Sequence, residues 1–273
     1  TCDLPEEMIK EYGITVVPLY INIGDDGYLD VIDITRQEFY EGLAGYDPLS
    51  TTANTGIDSI SSVYDQLAEQ GATQLMSIHI SISLSATVDV ARAAARETIS
   101  VPVTVLDSQQ LSLGTGFLVL TAAKAAAEGM PIDEIITMLE EQTSRTYVIA
   151  ALDTLEFLKR SGRMNAVVAR LGSMLQIKPL LIMHAGEPTA ERVRTRERAI
   201  NRLIQFVSEL GPLEQLALVH TNAPQDAQDL YQQAIHLFPE QGEPLSVDVT
   251  PVLGANIGPG VVGFACITAK KTA

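Results

Sequence analysis

The chain has 273 residues, 46% hydrophobic and 19% charged, enough to bury the core of one large or two small α/β units and too apolar for disorder. Its formal net charge of −16 argues against a general nucleic-acid or anionic-membrane surface, which needs excess Lys and Arg. The few basic residues are concentrated. Ten of the eighteen (Lys159, Arg160, Arg163, Arg170, Lys178, Arg192, Arg194, Arg196, Arg198 and Arg202) lie between Glu156 and Arg202, against four acids there.

Val- and Ile-rich runs alternate with helical patterns, the signature of βαβ units. A strand is expected over Ile14–Ile23, then a short helix over Thr35–Leu43 capped by Asp33 or Thr35. A helix over Asp58–Gln70 stops at Gly71, and a strand follows over Gln74–Ile80. Next come an Ala-rich helix (Ser85–Thr98), a strand (Val101–Leu106) and a helix (Leu113–Glu128) stopped by Gly129. Pro131 opens a further helix to Gln142, and Tyr147–Leu152 reads as a strand. Beyond Asp153 the segments are short, basic and Gly-punctuated. They lead to a strand over Ile177–Met183, a helix near Glu197–Leu210, a strand over Gln215–His220 and a helix over Asp226–Leu237. Two last strands, near Leu245–Val252 and Val261–Ala269, flank a Gly-rich loop. The fold class is α/β in two units. Residues 1–150 should form a mostly parallel open sheet with flanking helices, and residues 151–273 a mixed α/β unit; the boundary lies near 145–153.

Cys2 and Cys266 form no disulfide framework, and Cys266 in Val261–Ile267 reads as a core thiol. His79, His184, His220 and His236 are scattered, so no metal is expected. Without an 18-residue apolar run or a leader-like start, the sequence predicts no transmembrane segment and a cytoplasmic location.

Five constellations carry chemistry. Ser50-Thr-Thr-Ala-Asn-Thr-Gly56 precedes a helix, where its hydroxyls serve either as caps or as an anion site. Ser81-Ile-Ser-Leu-Ser-Ala-Thr87 places four hydroxyls at the carboxyl end of a strand, more than capping needs, at the edge where open α/β sheets bind ligands. Asp107-Ser108 follows another strand, but neither GxGxxG nor GxxxxGK[ST] is present, and no G-x-S-x-G elbow. Thr154–Asn165 gathers Lys159, Arg160 and Arg163 at a helix end and the turn beyond, either as complements to the helix dipole or as a carboxylate clamp. Leu253-Gly-Ala-Asn-Ile-Gly-Pro-Gly260 is a tight loop whose only polar side chain is Asn256, and it either joins two strands or closes a site.

In this order and spacing, the pieces resemble the DegV family of fatty-acid-binding proteins. The shared marks are Asp3-Leu-Pro5, Val17-Pro-Leu19, Thr51-Thr52 with Asn54, Ser83-Leu-Ser85 with Thr87, and Asp107-Ser108. They continue through Thr154–Arg163, Ile177-Lys-Pro179, Val193-Arg-Thr-Arg196 and Gly258-Pro-Gly260. The resemblance implies a two-unit α/β protein, with no cofactor and no catalysis of its own, that holds a long-chain fatty acid in a buried tunnel. It also implies a partner, a separate fatty acid kinase to which the carboxylate is presented. Carried over residue by residue, the carboxylate site falls on Thr52, Ala53, Ser85, Arg163 and Asn256, with Thr51, Ser81, Thr87 and Arg160 as second choices. Arg192, Arg194, Arg196 and Arg198 would form an exposed, partner-facing patch, or else a solvated edge strand or turn.

Three positions depart from the family pattern. Ala53 replaces a Ser, Ala86 replaces a Gly, and Asn256 stands where kinase-associated members carry a His. Asn donates a hydrogen bond but cannot be protonated, which weakens the phosphoryl-transfer reading more than lipid binding. The family also opens with a strand ahead of Asp-Leu-Pro, whereas this sequence opens at Thr1, inside the turn that follows it, so a central strand is expected to be missing. Burying about fifteen methylenes at ~0.8 kcal/mol each would contribute on the order of 12 kcal/mol before entropic losses. Low aromatic content (5%, no Trp) suits an aliphatic ligand. Two other readings stay open: a phosphotransferase or hydrolase acting on a small phosphorylated substrate, and a lipid-responsive regulatory protein.

Overall fold

The computed structural model describes residues 1–163, 178–239 and 244–270. The chain opens with α1 (Glu6–Glu11). A hairpin of β1 (Tyr20–Ile23) and β2 (Asp26–Leu29) follows, with β3 (Thr51–Ala53) added antiparallel on the free side of β1. The strand expected from Ile14 is therefore confined to Tyr20–Ile23. Between β2 and β3 lies α2 (Arg36–Gly42), closed by a capping box in which Thr35 and Glu38 satisfy each other's backbone N–H.

α3 (Ile57–Glu69), β4 (Leu75–His79), α4 (Thr87–Glu97) and β5 (Val103–Asp107) follow at the expected places, with β4 and β5 parallel. This pair is the parallel part of the expected open sheet; β1–β3 are antiparallel. α5 (Ser112–Ala127) is buried over most of its length, and α6 (Ile132–Thr143) follows Pro131.

A six-stranded mixed sheet of order β10-β9-β11-β6-β7-β8 forms the rest. Its strands are β6 (Thr146–Ala151), β7 (Lys178–His184), β8 (Glu187–Val193), β9 (Leu213–His220), β10 (Ser246–Asp248) and β11 (Val262–Thr268). Helices in the same region include α7 (Glu156–Arg160), α8 (Arg196–Glu209) and α9 (Pro224–Ala234). Among the described residues β6 pairs with β11 and β7, so it belongs to the six-stranded sheet. The two parts share a core: Leu4, Ile80, Leu113 and Phe117 pack with Val148, Met183, Val219 and Ala265.

Two expectations need correction. The Gly-rich stretch is not a loop between strands: Pro251–Ile257 is a helix, α10, with Pro251 in its first turn. Its helical backbone takes up Val252, so the preceding strand shrinks to Ser246–Asp248. The alternative of an edge strand holds for the start of the arginine-rich stretch: β8, which includes Arg192, is an edge strand paired to β7 through a two-residue turn. Arg170 and the expected strand start at Ile177 lie outside the described residues.

Candidate functional site

A cavity of about 320 Å³ lies over β6, β7 and β8. That is near the lower end of the usual range for ligand sites, roughly 300–1,000 Å³. Strand alternation supplies its floor: Val148, Ala150 and Leu152 of β6 and its end face the cavity, while Ile149 and Ala151 face the opposite core. Leu181 and Met183 of β7 and Pro188 and Thr189 of β8 extend the floor. The walls come from short segments. They are Leu19, the end of β3, the link from β4 to α4 (Ile80, Leu84, Ser85, Ala86), Leu111, Leu158 of α7, and Val252, Leu253, Asn256 and Ile257 of α10. Most of the lining is aliphatic.

The polar lining gathers where these segments meet. Thr52 lies in β3 opposite Ile21, and alternation turns it inward while Thr51 points out to bond Asn22. This strand pairing is why the hydroxyls of Ser50–Gly56 do not cap α3, whose N-cap is Gly56 without a side-chain bond. Asn54, not anticipated as a site residue, also lines the cavity, and its Oδ1 accepts from Thr87 Oγ1 at 2.7 Å. Thr87 Oγ1 lies 2.7 Å from Ser85 Oγ, and Ser85 Oγ accepts from the Thr87 N–H at 3.3 Å. Thr87 is buried behind the lining, and it holds Asn54 and Ser85 in register. The signal for Asn54 was its place in the same loop as Thr52, two residues on.

Arg163 enters from the turn after α7. Gly162 takes φ +75°, a left-handed conformation that L side chains rarely adopt, and this turns the chain back toward the cavity. The Arg163 guanidinium donates to Ser161 O at 2.9 Å and, at the long limit of 3.5 Å, to Thr52 Oγ1. Arg160 lies outside the cavity, exposed and paired with Glu156 along α7. Ser81 is fully buried and bonds Ser83 at 2.9 Å rather than lining the cavity. Ala53 lines it with no hydroxyl to offer. Asn256, on α10, donates one amide hydrogen to Val252 O at 2.7 Å, which leaves its second hydrogen and its carbonyl oxygen to the cavity. α7 holds the end of α10 closely: Gly258 lies so near the Phe157 ring that any Cβ there would overlap it.

The site therefore brings together Thr52, Ala53, Ser85, Arg163 and Asn256 and adds Asn54, while Thr51, Ser81 and Arg160 stand outside. The arginine patch also changes. Arg192, Arg194 and Arg198 are exposed, but Arg196 turns inward. It donates to Ala151 O and Gly260 O at 3.2 and 2.8 Å and pairs with Asp153 and Asp226 at 3.5 and 3.2 Å. Arg196 thus ties β6, α9 and the turn before β11 together, which removes it from a partner-facing group. Among the described residues no helix is long and apolar enough to cross a membrane.

An open α/β architecture with an aliphatic cavity and one cationic, hydroxyl-lined region defines a protein suited to an amphipathic acid. The family model described as "Uncharacterised protein, DegV family" matches residues 1–269, and the chain belongs to the DegV family. A DegV domain-containing protein of Streptomyces coelicolor is 35% identical, with 96% of this chain and 94% of that protein covered. A solved structure described as fatty acid binding of a DegV family protein from Thermus thermophilus is 32% identical. It superposes with a TM-score of 0.87 over 98% of this chain and 97% of that one. DegV from Bacillus subtilis, described as a fatty acid binding protein, is 28% identical with a TM-score of 0.87, over 98% and 96% of the two chains.

Proposed function

We propose that this protein binds a long-chain fatty acid in the cavity and offers its carboxylate to a partner protein, a fatty acid kinase being the candidate. The observation that carries the reading is the uneven lining, mostly aliphatic, with Arg163 beside Thr52 and with Asn54 and Ser85 linked through Thr87. A carboxylate buried without a counter-charge would cost more than the acyl chain contributes, so its place is beside the guanidinium. Thr52 would donate its hydroxyl hydrogen and Asn256 its free amide hydrogen; Ser85, whose hydrogen goes to Thr87 because Thr87 donates to Asn54, would turn its hydroxyl from Thr87 to the carboxylate. The described lining offers hydroxyls, amides and a guanidinium and no carboxylate, imidazole or thiol side chain to serve as general base, which favours a carrier over a hydrolase or phosphotransferase. The two solved DegV structures described as fatty acid binding support the same reading.

Native mass spectrometry of the protein purified from bacteria should show an adduct of fatty-acid mass. Arg163→Ala should weaken binding at least about 30-fold, the effect of truncating one partner of a desolvated charge pair. A clean unliganded mass that stays unliganded after incubation with palmitate or oleate would sink the proposal. Asn256→His separates carrying from coupling. Both forms should bind, and kinase-dependent acyl phosphate should rise in the His form.

A further inference from the structure

Helix α10 forms one wall of the cavity; its residues Pro251–Ala255 are packed, and its register is set at its start. It has seven residues, and the side chain of its N-cap, Thr250, bonds none of the helix's own backbone N–H groups. Its start is fixed from outside, at Thr250, which is only 3% exposed. The Thr250 N–H donates to Asp3 Oδ1 at 3.0 Å, and its hydroxyl donates to Asp30 Oδ2. Asp3 Oδ2 accepts from Ser112 Oγ at 2.6 Å at the start of α5, and the Arg36 guanidinium stands 4.0 Å from Asp3 Oδ1. Next to Thr250, the Tyr40 hydroxyl donates to Val249 O at 2.8 Å. One residue is thus gripped by groups from the start of the chain and from the link between β2 and α2.

This arrangement is not the one stability alone would favour. Two buried carboxylates face one guanidinium, with the Thr1 amino group acting on Asp30, and among the described residues neither Asp30 Oδ1 nor Arg36 Nε has a hydrogen-bond partner. Incompletely satisfied buried charge is costly and contributes less than apolar packing of the same volume. Burial accordingly pushes the Asp30 carboxyl above its usual range, against the Thr250 hydrogen bond that holds it down. What the network does supply is direction. Two bonds to one residue set the depth and rotation of a short helix that carries Val252, Leu253, Asn256 and Ile257 into the cavity.

We propose that Thr250, held by Asp3 and Asp30, is a positioning residue that latches α10 and sets the rate at which a ligand enters and leaves the cavity. The proposal rests on the fatty-acid reading only for the identity of that ligand. Thr250→Val removes the hydroxyl bond and keeps the backbone bond and the shape; Thr250→Ser restores the hydroxyl.

The test has two arms. In stopped flow, fluorescent parinaric acid displaced by excess oleate should exchange about ten-fold faster from Thr250→Val than from the parent, and within two-fold of the parent for Thr250→Ser. In the ligand-free protein, amide hydrogen exchange over residues 254–257 should accelerate about ten-fold in Thr250→Val, with α8 unchanged. If Thr250→Val does not fold, Asp30→Asn takes its place; it keeps a neutral acceptor, and an acceleration of about three-fold is expected in both arms. Unchanged exchange in either arm overturns the latch, and so does acceleration of α8 equal to that of α10, which would mark general loosening. A parent protein that binds no parinaric acid would defeat the fatty-acid reading, while the hydrogen-exchange arm still decides the latch.

Discussion

The two faces of the six-stranded sheet are made by the same alternation and end differently. On one face Ile149, Ala151, Leu180, Val262, Phe264 and Cys266 meet Ala199, Leu203 and Val207 of α8 and Leu230 and Ala234 of α9, nearly all fully buried. These covering helices have 14 and 11 residues and amphipathic patterns, so each lays a continuous stripe across several strands. On the other face α5 covers part of the sheet, and the remainder is roofed by β3, the link into α4, α7 and α10. β3 has three residues, α7 five and α10 seven. Short pieces meet at their ends, and their polar ends supply Thr52, Asn54, Ser85, Arg163 and Asn256. A cover of long helices gives a closed core; a cover of short segments gives a cavity with a polar corner.

The closed face should carry the greater share of stability. Phe264→Ala is expected to lower unfolding free energy by about 3–5 kcal/mol, the cost of a large side chain deleted from a filled core, measured by urea titration. A loss below about 1 kcal/mol would mean that the two faces do not differ in packing as described.

The closed face and the strand leading into the cavity wall should also part on acidification. Burial pushes the Cys266 thiol on the closed face up to about 12, so it does not titrate below neutral pH. His79, next to cavity-lining Ile80, is pushed down to about 4 by burial, and its Nε2 lies 2.7 Å from Ser77 Oγ, which accepts from the Tyr64 hydroxyl at 2.7 Å. Unfolded His binds a proton near pH 6.5 and the folded group only near 4, so the unfolded state holds more protons in between. Stability should therefore fall as pH drops from about 6.5 to 4, by up to about 3 kcal/mol. His79→Gln should flatten that limb of the pH–stability curve, and an unchanged slope would count against the buried neutral imidazole.

The closed face was largely legible in the sequence, because long periodic helices and Val/Ile strands depend on repeated local signals. The expected helix at Glu197–Leu210 and strand at Gln215–His220 match α8 and β9 within two residues. The site residues were reached through the spacing of a family resemblance, and the segments holding them were misread where pairing overrode local chemistry. Thr51–Ala53 looked like part of a loop whose hydroxyls either cap a helix or hold an anion, yet β1 draws it into a sheet. Gly254 in a Gly-rich stretch suggested a loop; it is instead where α10 comes so close to the Tyr40 hydroxyl that no Cβ would fit. Such close approaches depend on residues two hundred positions apart and leave no local pattern. Arg196 was misplaced for the same reason, since its partners Asp153, Asp226 and Gly260 O are brought to it only by the fold.

The finest test of the difference between the faces is to make the open one resemble the closed one. Ala150 lies mid-floor in β6, with its side chain toward the cavity, flanked on the same face by Val148 and Leu152. Ala150→Leu adds three carbons to space that the fold leaves unfilled. In a closed core such an addition costs about 1–3 kcal/mol through overpacking. Over a cavity it should be neutral or stabilise by up to about 1 kcal/mol, because the added carbons find lining atoms without displacing any. Thermal unfolding of the unliganded protein should therefore stay level or rise by a few degrees, while the fatty-acid adduct in native mass spectrometry falls. Destabilisation together with retained ligand would mean that the floor at Ala150 is already packed and that an acyl chain runs elsewhere.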